Sequence, residues 1–557
     1  MAAAPFAMPQ GSTRSLSETA EYSTVQEVYL WISYTGTTAG ASASGSLTVR
    51  HDQSGQIWTI PITSNTVTRK TACVMLVLDR SGSMNFPSGV GSSKRIDVLH
   101  YSAGILAEAV HEGDGVGVVG FDQDASPVLV PPVGPLALPS LFDPARSNVR
   151  SAISTFAVNP NGQTSIGDGI ELGQNSIALV GGYDHKAVIV FTDGYENSAK
   201  WIADVAPAIT DRTYAVAMGR AENIKPAALT ALTNGTGGYC VLTNDLDNNS
   251  RFKLAKYFLQ VLAGVNSNQI VSDPPVAVPL GGTVDLPFQM AETDTLVDVL
   301  FMTQLPWLIE MTLITPDGDV IDDAFMSGLS GRSYVQLGEK VIYYRLTLPA
   351  PIGGGAHAGT WLVRFHLDQK RLGSEERLSG PQIKEIREFG LTGMLLVHAS
   401  SGLRMEVSTR QGSFETGAKI LLQAGLTEYD VAVEGRANVT ARITDSSGGS
   451  SLLELSELGG GIFESAFETT EPGVWTVHFE AKGKTFRGTP FTREAVRTAS
   501  VWKGGDRYKP IEGKEPVVQE LPRRRLAWDI VYEDKELLAL LRRRLEASDL
   551  TLADLEN

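Results

Sequence analysis

The sequence predicts a multidomain α/β plus all-β protein, in which a doubly wound, Rossmann-like α/β domain is followed by two β-sandwich domains. The chain has 557 residues, which is too many for one hydrophobic core. Residues 71–268 alternate apolar strand-like runs with helix-like runs, as in a parallel sheet covered on both faces. Residues 269–505 lose the helical period and become rich in Gly, Pro and short alternating runs, which is typical of β-sandwiches.

Strand and helix patterns alternate regularly through the α/β domain. The run 187–191 is apolar at every position, as expected of a strand buried on both faces. The helix-like run that begins at Arg95 places Ile96, Leu99 and Ala103 on one face. The predicted strands are 73–78, 115–121, 186–192, 213–218 and 238–242, and the predicted helices are 95–110, 166–180, 198–208, 223–233 and 247–264.

The N-terminal part of the chain has two different compositions. Residues 1–21 are rich in Ala, Pro and Ser and predict a flexible leader. Residues 22–70 contain three short strand-like runs with Gly- and Ser-rich turns, the first of them at 25–32. Because three short strands bury little surface on their own, one hypothesis is that this β-strand segment completes the first sandwich.

An internal near-repeat supports two sandwich domains. Gly-Thr-Trp-Leu-Val-Arg-Phe at 359–365 parallels Gly-Val-Trp-Thr-Val-His-Phe at 473–479. We therefore expect one β-sandwich at 269–400 and a second, fibronectin-III-like or Ig-like domain at 401–505.

The C-terminal segment, 506–557, is predicted to be a linker followed by an amphipathic helix. At 533–547 acidic residues come first and Arg542, Arg543 and Arg544 come late, which complements the helix dipole. Two interpretations remain open for this helix, docking on its own protein and engaging a second protein.

Composition argues against several classes of function. A net charge of −16 argues against nucleic-acid binding, which needs a basic face. Two cysteines, Cys73 and Cys240, are too few for a disulfide framework or a zinc cluster, and they predict either two buried thiols or a single bridge. Because no apolar stretch approaches the length of a membrane span, no transmembrane segment is expected. The N-terminal residues lack the features of a signal peptide, which predicts a cytoplasmic location for a full-length chain and leaves an extracellular one for a fragment.

Oxygen-bearing side chains are predicted to converge at one edge of the sheet. An apolar strand runs into Asp79, and Ser81 and Ser83 follow at alternate positions, so that the three side chains face the same way. Two later loops should reach this edge, because ligands bind beyond the carboxyl ends of the strands. One loop carries Thr164 before a helix, and the other carries Asp193 after an apolar strand. Hard oxygen donors of this kind suit Mg²⁺, with Ca²⁺ or Mn²⁺ as alternatives.

This set of residues resembles the von Willebrand factor A fold with its metal-ion-dependent adhesion site. The resemblance implies that Ser81, Ser83 and Thr164 contact the metal directly or nearly so. It implies that Asp79 and Asp193 act mostly through water. It also implies an open coordination position, which an Asp or Glu of a protein partner completes.

The neighbours of these residues are expected to form the rim that a partner touches. They are Arg80, Met84, Ser165 and Gly194.

The order of the domains resembles the calcium-activated chloride channel regulator family over roughly 70–505. Besides the metal loops, the resemblance includes the segments 237–239, 313–318 and 467–473. That family carries a zinc metalloprotease region with His-Glu-x-x-His upstream. Here the His-Glu pair at 111–112 is followed by Gly-Asp-Gly, so self-cleavage is not implied.

Together these features predict a metal-dependent binding or adhesion protein whose partner is a protein with an exposed Asp or Glu. An enzyme is not predicted, because neither a P-loop nor a nucleophile–base pair is visible. The alternative is an intracellular adaptor or assembly subunit of a multi-protein bacterial system, such as one that works beside an ATPase.

Overall fold

The described parts of the chain form two compact units, Met1–Lys70 and Thr71–Asn557. The predicted strand at 25–32 is almost entirely outside the described residues, as are most of the leader and all of the linker and the C-terminal helix. No helix in the described ranges is long and apolar enough to cross a membrane. The computed structural model describes residues 6–8, 13, 30, 32–34, 36, 38, 40–66, 69–125, 128–136, 143–157, 159–209, 212–329, 334–337, 341–350, 352, 357–373 and 378–505.

The first unit contains two small antiparallel sheets. Its strands are β1 (Phe6–Ala7), β2 (Ser33–Tyr34), β3 (Ser42–Arg50) and β4 (Ile57–Asn65). β1 pairs with β2, and β3 pairs with β4 over nine residue pairs. The hypothesis that the segment 22–70 completes the first sandwich stays a prediction.

The second unit begins with a six-stranded sheet in the order β10-β9-β8-β5-β6-β7. All neighbours pair in parallel except β6 and β7, and every residue of the central strand β5 is buried. The doubly wound α/β prediction is therefore confirmed, with an antiparallel edge strand that was not predicted. The strands are β5 (Ala72–Asp79), β6 (Gly115–Phe121), β7 (Val128–Val133), β8 (His185–Thr192), β9 (Arg212–Ala217) and β10 (Cys240–Leu242).

Helices connect and cover these strands. One of them, α2, was not predicted because its inward face is built from Arg146, Val149 and Ile153, which gives a weak apolar period. Its start is marked by Asp143, whose side chain accepts a hydrogen bond from the backbone N–H of Ala145 at 3.2 Å. The helices are α1 (Arg95–Ala109), α2 (Pro144–Thr155), α3 (Ile166–Ala178), α4 (Ile202–Val205), α5 (Ala221–Ile224), α6 (Ala227–Thr233) and α7 (Lys253–Val265).

A large all-β region follows, as predicted. Its short helices α9 and α10 were not expected, because the segment from Arg371 to Phe389 is charged and only Ile386 of α10 is buried. The elements are β11 (Gln269–Ser272), β12 (Pro275–Val278), β13 (Thr283–Met290), β14 (Asp294–Thr303), β15 (Ile309–Ile314), β16 (Val320–Ile321), α8 (Asp323–Ser327), β17 (Tyr334–Leu337), β18 (Val341–Thr347), β19 (Gly359–Leu367), α9 (Gln369–Gly373), α10 (Gly380–Phe389), β20 (Leu391–Ser401), β21 (Leu403–Gln411), β22 (Lys419–Glu428), β23 (Val431–Ala432), β24 (Ala437–Thr444), β25 (Ser450–Gly459), β26 (Ile462–Glu468), β27 (Gly473–Lys484) and β28 (Pro490–Val501).

One sheet runs through most of this β region. β11 pairs with both β20 and β28, and so joins the strands before and after residue 401 into a 14-stranded sheet. Two separate apolar cores lie against it, one around Trp361 and Phe365 and the other around Trp475 and Phe479. The two near-repeat segments, 359–365 and 473–479, thus each contribute a buried Trp and a buried Phe to a separate core.

The α/β domain packs directly against the β region. One apolar cluster includes Phe258 of α7 together with Met302 and Leu396 of the β region. In addition, the backbone N–H of Leu242 donates to the hydroxyl of Thr498 at 3.0 Å. Both cysteines are free, so the predicted alternative of a single bridge does not form. Cys73 is buried as expected, whereas Cys240 is half-buried.

Candidate metal centre

The first part of the centre lies where β5 ends. Asp79 is the last residue of this strand and its side chain is buried. One carboxylate oxygen, Oδ1, accepts a hydrogen bond from the backbone N–H of Ser81 at 2.7 Å, and the other, Oδ2, accepts from the hydroxyl of Thr192 at 2.7 Å. Both oxygens are therefore held in place before any metal binds. Thr192 ends the neighbouring strand β8 and was not recognised from the sequence.

A chain of short hydrogen bonds joins the loop after β5 to the loop after β8. The hydroxyls of Ser81 and Ser83 lie 3.0 Å apart. The hydroxyl of Ser83 then donates to Oδ1 of Asp193 at 2.6 Å. Four of the five predicted metal residues, Asp79 included, thus belong to one connected group at the carboxyl edge of the sheet.

Thr164 lies on a third loop, which leads into α3. Its backbone N–H donates to Oδ1 of Asn197 at 2.8 Å, and its carbonyl accepts from the backbone N–H of Asn197 at 3.0 Å. The backbone N–H of Gly82 donates to the carbonyl of Gly162 at 3.0 Å. Backbone bonds therefore tie the Thr164 loop to the loops that follow β5 and β8.

Negative charge is in excess at this edge. Burial, and then the nearby Asp193, raise the pKa of the Asp79 carboxyl to about 7. Burial also raises the pKa of Asp193, although hydrogen bonds from Arg95 and Ser83 work in the opposite direction. Nη1 of Arg95 lies 2.8 Å from Oδ2 of Asp193, so the guanidinium contacts one of the two buried carboxylates.

A divalent cation suits this arrangement. The candidate donors are hydroxyl and carboxylate oxygens, which are the ligands that Mg²⁺ and Ca²⁺ prefer. A cation beside Asp79 and Asp193 would offset the cost of burying the Asp79 carboxylate and its repulsion by Asp193, which together raise the pKa of Asp79. The residues that would hold it are Asp79, Ser81, Ser83, Thr164 and Asp193.

The rim differs from the sequence prediction in two of its four positions. Met84 lies in the apolar core, and Ser165 is buried where its hydroxyl contacts Asp168 at the start of α3. Neither side chain is available to a partner, so the predicted rim narrows to Arg80 and Gly194, which are partly exposed. Nε of Arg80 lies 3.0 Å from a carboxylate oxygen of Asp122.

Exposed aromatic residues lie on the same loops and were missed. Phe86 follows the loop after β5, Tyr195 follows Gly194, and Trp201 precedes α4, with 56%, 45% and 42% of their surfaces exposed. The guanidinium of Arg95 lies 5.7 Å from the Phe86 ring centre, and Nζ of Lys225 lies 4.7 Å from the Tyr195 ring centre. Phe86 and Tyr195 could have been found from the sequence, because each aromatic residue lies within three positions of a predicted metal ligand, Ser83 or Asp193.

Comparison with known proteins gives distant relatives. The human (Homo sapiens) calcium-activated chloride channel regulator 4 is 24% identical over 424 residues, which cover 73% of this chain and 39% of that protein. Among solved structures, a von Willebrand factor type A protein from Catenulispora acidiphila matches 77% of this chain and 70% of its own, at 14% identity and a TM-score of 0.29. Proximal thread matrix protein 1 from the mussel byssus, described with a zinc-occupied MIDAS motif, matches 38% of this chain and 50% of its own, at 20% identity and a TM-score of 0.28.

A family match covers the candidate centre itself. Residues 74–196 match the family described as von Willebrand factor type A domain. This range begins within β5 and ends just after β8, so it contains all five predicted metal residues. The chain therefore contains a von Willebrand factor type A domain, followed by a large all-β region.

Proposed function

We propose that this protein binds a protein partner through a Mg²⁺ ion held by Asp79, Ser81, Ser83, Thr164 and Asp193. The observation that carries the proposal is the connected group of hydroxyls and buried carboxylates at the carboxyl edge of the sheet. Hydroxyls are neutral donors, so a cation bound there keeps much of its charge and attracts a further anionic ligand. An Asp or Glu side chain of the partner would supply that ligand.

The surroundings of the centre favour a partner with apolar residues beside its acidic one. Phe86, Tyr195 and Trp201 present exposed aromatic surface on the loops of the centre. Aromatic residues are enriched at protein interfaces because they bury a large area and lose little conformational entropy. The partner proposed here is therefore a protein segment with one exposed carboxylate and apolar neighbours.

Metal binding is tested first, on the full chain freed of metal with a chelator. Calorimetric titration with Mg²⁺ should show one site in the wild-type chain and none in the Asp193→Asn variant. Asp285→Asn is the matched control, because Asp285 is an exposed carboxylate on β13 that pairs with Arg364. Equal binding of Mg²⁺ by wild type and Asp193→Asn would contradict the proposal.

Partner binding is tested second. The immobilised chain should retain a partner from native cells in Mg²⁺ and release it in chelator, and the Asp193→Asn variant should retain none. If neither the chelator nor Asp193→Asn reduces the amount of partner retained, the partner binds to another surface of the chain.

We propose a binding role and not a catalytic one for the centre, since von Willebrand factor A domains are generally non-enzymatic interaction modules. The alternative role, that of an intracellular adaptor or assembly subunit, would use the same centre. Its further support, the predicted C-terminal helix, lies outside the described residues, so that alternative stays a prediction.

A further inference from the structure

A second group of metal-ligating side chains lies away from the A-domain centre, where α7 meets the β region. Asp273 follows β11, His478 lies on β27 and Glu494 lies on β28. Nε2 of His478 is 3.2 Å from Oε2 of Glu494 and 3.5 Å from Oδ1 of Asp273. One ligand atom from each residue lies within 4.8 Å of the other two.

Two residues of α7 hold Asp273 in the orientation that this grouping needs. Nζ of Lys256 lies 2.7 Å from Oδ2 of Asp273, and Nε2 of Gln260 donates to the same oxygen at 2.8 Å. The opposite oxygen, Oδ1, is therefore the one that faces His478. Partners of this kind, which orient a ligand without touching the metal, are typical of protein metal sites.

The distances agree with a tetrahedral ion. Zn²⁺ bound to nitrogen and oxygen at about 2.0–2.1 Å places its ligand atoms about 3.3–3.4 Å apart. The two separations measured from the His478 ring nitrogen, 3.2 and 3.5 Å, bracket this value. An imidazole ligand also favours Zn²⁺ over Mg²⁺ and Ca²⁺, which prefer oxygen.

We propose that Asp273, His478 and Glu494 form a second metal site that takes Zn²⁺ or a similar transition metal. Three protein ligands leave a fourth position for water. Because Asp273 is bound to α7 through Lys256 and Gln260, an ion here would fasten the last helix of the A domain to β27 and β28. This site does not depend on the proposed function of the other centre.

Charge and access support the assignment. The carboxylates of Asp273 and Glu494 both lie close to one imidazole nitrogen of His478 and repel each other, and the ammonium group of Lys256 contacts the first of them. A cation of charge +2 would relieve that repulsion. The side chain of His478 is 31% exposed, which gives an ion a route from solvent.

The test uses the full chain carrying Asp193→Asn, which removes the first centre, in excess Mg²⁺. Calorimetric titration with Zn²⁺ should show one site per chain, and Co²⁺ should give the visible absorption of a tetrahedral ion. Adding Glu494→Gln, which keeps the shape of the side chain, should abolish both signals. Adding Gln260→Ala should weaken Zn²⁺ binding about 10- to 100-fold, because Gln260 orients a ligand.

The control is His366→Asn in the same background, since His366 lies on β19 near Thr283 and outside the group. It should leave Zn²⁺ binding unchanged. Thermal unfolding without metal shows that each variant is folded. The proposal is overturned if the background chain binds no Zn²⁺, or if Glu494→Gln binds it as well as the background does; the three side chains would then only share a proton.

Discussion

Two fully buried carboxylates, Asp79 at the metal centre and Asp298 on β14, show opposite electrostatic behaviour. Burial raises the pKa of Asp79 to about 7, with a further contribution from Asp193. Burial acts on Asp298 in the same direction, but Arg345 and two histidines outweigh it and hold its pKa well below the usual value. Burial alone therefore does not decide the charge of a carboxylate in this protein.

The difference lies in what the fold supplies beside each carboxylate. Nε and Nη2 of Arg345 lie 2.5 and 2.6 Å from the two oxygens of Asp298, and Nε2 of His111 lies 3.0 Å from one of them. At the other end of α1, Arg95 contacts Asp193, and within the described ranges no cationic side chain is seen in contact with Asp79. The carboxylate at the junction with the β region is paired with cationic side chains of the chain itself, whereas the contacts of Asp79 are with an N–H group and a hydroxyl.

The largest effect should come from breaking the Asp298–Arg345 pair. Arg345→Met leaves a buried carboxylate without its main cation, which should lower the free energy of unfolding by about 3–5 kcal/mol. Urea denaturation measures this loss. The control is Arg364→Met, whose exposed pair with Asp285 is screened by solvent and should matter far less. Similar losses in both variants would mean that the junction is not held by this pair.

The next largest change in the free energy of unfolding should come from adding Mg²⁺, which should act only through the A-domain centre. At a free concentration of 100 times its dissociation constant, a ligand specific to the folded state adds about 2.7 kcal/mol to the free energy of unfolding. We expect this gain in the wild-type chain and in Asp285→Asn, and none in Asp79→Ala. Denaturation with and without Mg²⁺ is the measurement. A gain retained by Asp79→Ala would place the stabilising ion elsewhere.

Acid should weaken the junction through His398, which lies 3.5 Å from Asp298. Burial lowers the pKa of His398 below 6.5, so the folded state prefers the neutral ring. Stability is then complete above about pH 6.5 and falls as the pH drops below it, by at most about 1.4 kcal/mol per pH unit. The lowered pKa of Asp298 keeps that carboxylate charged through this range.

Comparing wild type with His398→Gln between about pH 7 and about pH 5 isolates this contribution. The variant should lose less stability over the interval. If the two chains lose stability in parallel, another group is responsible.

The sequence was informative where function depends on residues close together along the chain. The apolar run ending in Asp79, with Ser81 and Ser83 in alternation, predicted both a central strand and its loop. Asp298 and Arg345 are 47 residues apart, and their pairing depends on the register of β14 against β18, which no local pattern encodes. For the same reason Arg95 was recognised only as the first residue of a helix.

Local backbone structure that the sequence pattern did not reveal explains why Met84 and Ser165 are buried and not on the rim. The predicted direction of Ser81 and Ser83 was based on alternation along an extended segment. It could not predict that the chain turns into a short 3-10 helix, Gly82–Asn85, which directs Met84 into the core. Ser165 was read as a loop residue, but it caps α3 and is covered there.

The smallest effect, but the one that separates the two carboxylates most directly, should come from Arg95→Gln. Its side chain is 17% exposed and its guanidinium contacts Asp193, but Gln can still donate a hydrogen bond to that carboxylate, so the free energy of unfolding of the metal-free chain should fall by only about 1 kcal/mol. Saturating Mg²⁺ should shrink that difference, because the ion then supplies positive charge beside the same carboxylate. Arg80→Gln is the matched control, since Arg80 pairs with Asp122 instead, and its effect should not depend on Mg²⁺. If Mg²⁺ leaves the stability loss of Arg95→Gln unchanged, Arg95 is a permanent structural partner of Asp193, as Arg345 is of Asp298. The centre would then not need an external ion to balance its negative charge.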